Sequence, residues 1–226
     1  MTAALLLAIT ASPALAGQKE TETIDRTAPI GANGSLKLKN FSGAVRITGT
    51  NSHEVVIHAV RRAKREQLDN IKLDVVTSGT SVTIEANKRT DGWRDKNDNI
   101  VETDFDIKVP FGTELDLYSF SGRIEVTGVR AKINAETFSG NVMLDVAAAA
   151  ELPALTGETF SGDIRLKVPE SASGHVEFNS FSGSVESDIP IAMKSNRRRD
   201  VSGDIGSGNG PTLKFKTFSG DLRIQK

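Results

Sequence analysis

Cysteine is absent from this chain of 226 residues, and histidine and tryptophan nearly so, at three and one. Without a thiol there is no disulfide frame, no cysteine nucleophile and no cysteine-ligated metal. The histidines, His53, His58 and His175, lack the His-x-His or His-x-x-x-His spacing of zinc enzymes. The odd step from His53 to His58 puts those two on opposite faces of a strand. No residue reads as a metal ligand or cofactor contact, and none as catalytic. An excess of charge of one sign is also missing. The formal net charge is −1, which removes any bulk pull toward nucleic acid or anionic lipid. The basic runs Arg61-Arg62 with Lys64-Arg65, and Arg197-Arg198-Arg199, have no aromatics between them and read as solvated loops.

Long apolar runs are missing as well, except a short one at the amino-terminus. Ala3-Ala4-Leu5-Leu6-Leu7-Ala8-Ile9 is too short to span a bilayer. Small residues at Ala14 and Ala16 then precede a polar stretch, which matches a signal peptide over residues 1–16 cut after Ala16. The expectation is an exported protein, periplasmic or on the cell surface, whose mature chain begins at Gly17.

What the chain has in abundance is a repeat. Phe-Ser-Gly occurs at Phe41-Ser42-Gly43, Phe120-Ser121-Gly122, Phe138-Ser139-Gly140, Phe160-Ser161-Gly162, Phe181-Ser182-Gly183 and Phe218-Ser219-Gly220, with a weaker copy at Val201-Ser202-Gly203. From Phe120 on, the steps are 18, 22, 21, 20 and 17 residues. A drifting period of about 20 marks stacked supersecondary units. After each motif, apolar and polar residues alternate: Ile164, Leu166 and Val168 against Asp163, Arg165 and Lys167. That is a strand with one buried face. Before each motif a second strand alternates, as in Ile133, Ala135 and Thr137. The inward parity flips at the motif, which requires a corner, and glycine suits a tight bend.

These features predict an all-β, single-chain parallel β-solenoid of roughly 20-residue coils. The domain organisation expected is one domain over 17–226, irregular over 17–110 and regular over 111–226. Coils stacked in chain order would place the six motif phenylalanines, six of the chain's ten, in an internal ladder. Truncating a core phenylalanine to alanine costs roughly 3–5 kcal/mol.

Gly43-Ala44-Val45-Arg46-Ile47-Thr48-Gly49, Glu54-Val55-Val56-Ile57 and Val109-Pro110-Phe111-Gly112-Thr113-Glu114-Leu115, followed by the serial Ser-Gly-x-apolar-x-apolar copies, resemble the bacterial putative-adhesin domain family. The resemblance covers most of the mature chain. It implies a right-handed solenoid in an exported protein of unknown function, with no catalytic residues to carry over.

The function expected is a non-catalytic scaffold or binding protein of the cell envelope, with an unidentified envelope or surface partner. The candidate binding face is the outer charged face, through Asp163, Arg165, Asp204, Asp221 and Arg223, with Trp93 in the polar Lys88–Asn99 loop as a second anchor. Two other classes compete. If Asp204 and Asp221 lay one coil apart, their spacing of about 5 Å would suit a glycan-cleaving carboxylate pair. Arg165 beside Glu186 would be an ordinary cross-strand ion pair. The third class is self-association through the carboxy-terminal coil, whose strand Asp221–Lys226 ends without a polar cap.

Overall fold

The computed structural model describes residues 19–90, 100–197 and 199–226. The signal peptide expected over residues 1–16, Trp93 and Arg198 lie outside the described residues. The amino-terminal strands are β1 (Glu20–Pro29), β2 (Ser35–Ser42), β3 (Val45–Thr50) and β4 (Glu54–Ala63); the helix α1 (Arg65–Asn70) and strands β5 (Ile71–Ser78), β6 (Ser81–Arg89) and β7 (Glu102–Pro110) follow. Then come β8 (Glu114–Ser121) and β9 (Ile124–Thr127), β10 (Ile133–Ser139) and β11 (Val142–Asp145), and β12 (Leu155–Ser161) and β13 (Ile164–Lys167). The last are β14 (Gly174–Ser182) and β15 (Val185–Ser187), β16 (Ile191–Arg197) and β17 (Asp200–Ile205), and β18 (Thr212–Ser219) and β19 (Leu222–Gln225).

These strands form two sheets that share one core. One runs β1-β4-β7-β3-β9-β11-β13-β19-β15, the other β16-β17-β14-β18-β12-β10-β8-β2-β6-β5. The middle of each sheet is parallel, and each rung contributes one strand to each sheet through its Phe-Ser-Gly corner. The ends are closed by antiparallel strands: β1 on β4 and β5 on β6 at one end, β16 and β17 on β14 at the other. So the region before residue 110 holds two antiparallel closures as well as coil strands.

The expected alternation is present. Ile124, Val126, Val142, Leu144, Ile164, Leu166, Leu222 and Ile224 are buried from one sheet, and Leu115, Leu117, Ile133, Ala135, Leu155, Leu213 and Phe215 from the other. The small residues have a reason. Register aligns Leu117, Ala135, Gly157, Phe215 and Phe178 in one inward row. A Cβ on Gly157 would meet the Phe215 ring at 3.0 Å, so the small Ala135 and Gly157 between Leu117 and Phe215 leave room for the ring and the row stays filled.

Three expectations change. First, the phenylalanine ladder exists but lies outside the core. Phe120, Phe138, Phe160, Phe181 and Phe218 are 38–51% exposed, while the buried phenylalanines are Phe105, Phe178 and Phe215. At each corner the residue before Phe takes the inward place: Asn40, Ser119, Thr137, Thr159, Ser180 and Thr217 are all buried. Second, rungs do not stack in chain order. The rung of Phe218 sits between those of Phe160 and Phe181, because β18 pairs with β12 and β14, and β19 with β13 and β15. The carboxy-terminal strand is therefore interior and paired on both edges, which removes the reason for expecting self-association through it. Third, Val201-Ser202-Gly203 is no corner. It lies within β17, antiparallel to both neighbours.

Candidate functional site

The corner repeats one set of contacts up the stack. The N–H of Gly140 donates to the Ser161 carbonyl at 3.0 Å, and that of Gly122 to Ser139 at 2.9 Å. The buried threonines tie the same corner: Thr137 Oγ1 donates to the Gly122 carbonyl at 3.1 Å, and Thr159 Oγ1 to that of Gly140 at 2.9 Å. Asn40 does the same in the first rung, donating to the carbonyls of Gly43 and Thr103 at 3.2 and 3.0 Å. The hydroxyl thus satisfies a carbonyl that would otherwise be buried unpaired. Rungs approach so closely that only glycine fits. At Gly140, φ is +147° and a Cβ would lie 2.3 Å from the Gly122 oxygen.

With the inner corner filled by threonine, asparagine or serine (the Ser119 and Ser180 hydroxyls being buried without a partner among the described residues), the bulky ring goes outside. There the rings stack in the order Phe41, Phe120, Phe138, Phe160, Phe218, Phe181, with centroids 4.8, 5.1, 4.9, 4.8 and 4.8 Å apart. The ladder repeat is the strand spacing itself. Each interior ring has both faces covered by its neighbours, so the ladder shows solvent a ribbon of ring edges, roughly 24 Å long. The guanidinium of Arg199 lies 4.2 Å over the Phe181 ring and closes that end. Beside the ribbon, residues two before each motif Phe form a second outward row: Lys39, Tyr118, Glu136, Glu158, Lys216 and Asn179. Between rings and row lies a shallow groove of about 370 Å³.

The chain also has the sequence signature of a known group. The profile of the family Toastrack DUF4097 matches residues 111–225, just over half the chain. The chain belongs to the toastrack family. A "putative cell adhesion protein" from Clostridium sporogenes shares this fold, with a TM-score of 0.62 at 12% identity over 90% of this chain and 99% of that one. A "putative adhesin" from Bacteroides fragilis aligns at 10% identity over 89% of this chain and 96% of that one, with a TM-score of 0.37. No curated protein matches the chain.

Within this toastrack the predicted site residues are dispersed. Asp163 and Asp221 belong to an outward column on successive rungs, where each side chain accepts a backbone N–H from the next. Asn141 Oδ1 accepts from Asp163 at 2.9 Å, Asp163 Oδ1 from Asp221 at 3.2 Å, and Asp221 Oδ1 from Ser184 at 2.7 Å. Asp104 supplies the same contact to Ala44 at 2.8 Å. The carboxylates are thus rung-to-rung ties. Asp204 is far from them in topology, on β17 in the other sheet. Its carboxylate takes Lys194 and His175, both at 2.7 Å, and these hydrogen bonds hold its pKa below the usual carboxylate range. The expected neighbours Asp204 and Asp221 are therefore on different sheets. Nor are Arg165 and Glu186 neighbours, because the inserted rung puts Arg223 between them. Arg223 takes Glu186 at 2.7 Å, and Arg165 lies 3.7 Å from Asp163.

The first basic run is not a solvated loop. Arg61 is buried in β4, bonded to Glu22 and the Ile71 carbonyl. Arg62 takes Asp104 at 2.6 Å, and Arg65 takes Asp69 at 3.0 Å. His58 pairs with Asp25 at 2.7 Å, binding β1 to β4. Among the described residues no group of three or more His, Asp or Glu could hold a metal ion, and no helix is long and apolar enough to cross a membrane. The outer ribbon and its flanking row were missed in the sequence, although both are spelled out by position relative to the motif.

Proposed function

We propose that the protein is a non-catalytic, exported binding scaffold of the cell envelope, adhesin-like, with the phenylalanine ribbon as its contact surface. The carrying observation is the ribbon itself: five rings in a continuous row, each 38–51% exposed. At about 200 Å² for a free aromatic side chain they leave roughly 450 Å² of apolar surface uncovered, a size that commonly marks an interaction site. The name of the similar Clostridium sporogenes protein, which speaks of cell adhesion, points the same way. A hydrolytic reading has less support, since Asp163 and Asp221 each commit Oδ1 to a neighbouring backbone N–H group. The envelope location rests on the signal-like residues 1–16. The coils are taken as right-handed, as in the resembled family, within a single domain over 17–226.

The test is a binding panel of cell-wall peptidoglycan and purified linear and branched glycans, comparing the native chain with Phe138→Ser and Phe160→Ser. Capture that drops at least tenfold in both variants is the expected result. A component bound equally by all three proteins, or turned over by the native chain, overturns the reading.

A further inference from the structure

The geometry points to a second copy of this chain as a partner of the ribbon, docked ladder on ladder in antiparallel order, with Glu158 of each protomer facing Lys216 of the other. This deepens the contact-surface reading above and rests on it. The repeat selects the partner first. Ring faces are occupied within the ladder, so a planar ligand has nothing to stack on, and what remains is a row of edges 4.8–5.1 Å apart. An extended peptide advances about 6.6–6.8 Å between side chains on one face and loses step within two rungs. A second ladder keeps step at every rung.

Charge then selects the register. In the flanking row, neither Glu158 nor Lys216 has a side-chain hydrogen bond or ion pair among the described residues, although they are register neighbours. A two-fold axis between the rungs of Phe160 and Phe218 sets Glu158 opposite Lys216 twice and Glu136 opposite Asn179 twice. One rung further out it sets Tyr118 opposite Asp200, the residue paired with Asn179. No like charges meet across these rungs; the first like pair, Lys39 opposite Arg197, falls two rungs beyond the opposed rings. An axis between Phe138 and Phe160 would oppose Glu136 to Glu158, and an axis through the rung of Phe138, Phe160 or Phe218 would oppose Glu136, Glu158 or Lys216 to itself. Among registers that oppose at least four rings, one other avoids like charges, with its axis between Phe120 and Phe138, opposing Lys39 to Glu158 and, beyond the rings, Glu85 to Lys216. It trades Phe218 and Phe181, at 46% and 51% exposure, for Phe120 at 38% and the half-buried Phe41. The first register buries the four most exposed rings. Those rings and the flanking row amount to roughly 600–800 Å² per protomer, the lower end of specific interfaces, which fits association in about the micromolar range.

Sedimentation equilibrium of the purified chain across micromolar to submillimolar concentrations tests this, with Glu158→Lys and Lys216→Glu, both at exposed positions, checked for unchanged melting. The native chain is expected to dimerise and each variant alone to associate at least tenfold more weakly. An equimolar mixture of the two variants is expected to regain dimer. In that mixture the lysine introduced at position 158 faces the glutamate introduced at position 216, and the unaltered Lys216 and Glu158 face each other as before. In the alternative register Lys216 would face Glu85, the register neighbour of Lys39, so Lys216→Glu alone would weaken it too; the mixture separates the two, because there the lysine introduced at position 158 would still face Lys39, the glutamate introduced at position 216 would face Glu85, and no dimer would be regained. A native chain that stays monomeric throughout, a Lys216→Glu chain that associates like the native one, or a mixture no better than its components overturns the proposal. If the native chain is monomeric yet glycan or peptidoglycan capture still depends on Phe138 and Phe160, the second copy fails and the ribbon survives. If capture ignores the rings, the ribbon reading fails.

Discussion

Substituting Gly140 by alanine separates two effects that the corner combines. The φ of +147° is one that L residues adopt only at a cost of about 1–3 kcal/mol. The added Cβ would also sit 2.3 Å from the Gly122 oxygen and 2.6 Å from its carbon. Those atoms are backbone of the next rung, so the two rungs must part. Parting weakens the Gly122 N–H bond to Ser139, now 2.9 Å, and the Thr137 hydroxyl bond to the Gly122 carbonyl, now 3.1 Å. Each contributes about 0.5–1.5 kcal/mol. Gly140→Ala is therefore expected to cost about 3–5 kcal/mol in all, at the severe end of single substitutions. Gly79 is the control: it has φ of +58° at a hairpin turn, and a Cβ there meets nothing within 4 Å. Gly79→Ala should cost only about 1 kcal/mol, the conformational part alone. Urea unfolding with unchanged m-values reads the difference directly. Equal losses in the two variants would refute the argument that rung contact, rather than φ, demands glycine at the corner.

Two more outcomes follow from the placement of side chains. Phe160→Ala, at a ring 46% exposed, should cost about 1–2 kcal/mol, whereas Leu166→Ala, from a fully buried position, should cost about 2–5 kcal/mol; denaturant midpoints in the reverse order would put the ring back in the core. In acid, three carboxylates lose native partners. Asp116 is held below its ordinary pKa by Lys37 and Asp204 by Lys194 and His175; for Asp104, partial burial is outweighed by hydrogen bonds from Arg62 and the Ala44 N–H. A depressed native pKa means the unfolded chain takes up protons first as the pH falls below about 4–5. Melting temperature should accordingly be level in this respect above about pH 5 and drop through pH 4 and below, with a shallower drop in Asp104→Asn; a melting point indifferent to acid would contradict these pairings.

Much of the architecture could be read from particular residues. The alternation of Ile164 and Leu166 with Arg165 and Lys167 gives the buried face, and the parity flip at the motif gives the corner. The side on which the ring lies was legible too. Thr137 continues the inward set of Ile133 and Ala135, so strict alternation sends Phe138 outward; the large apolar side chain misdirects because burial is its usual fate. The order of rungs was not legible. Phe-Ser-Gly corners are interchangeable in shape, so nothing local says that Leu213 pairs with Leu155 instead of following the hairpin. The departure of Val201 from the motif marks only that the pattern breaks there. The flanking row failed to stand out because Glu136, Glu158 and Lys216 are ordinary surface residues until register lines them up.

The inserted rung has a consequence for how the molecule is put together. After the strands of Phe160 are laid down, the chain passes over one strand's width, builds the strands of Phe181 and the β16–β17 hairpin, and only then fills the space with residues 212–225. Growth by simple winding from one end stalls at that space, and closure waits on contacts between residues far apart in the chain, a slow kind of step. Residues 212–225 act as a keystone: removing them does not shorten the stack by one course but parts it into two blocks with raw edges facing each other.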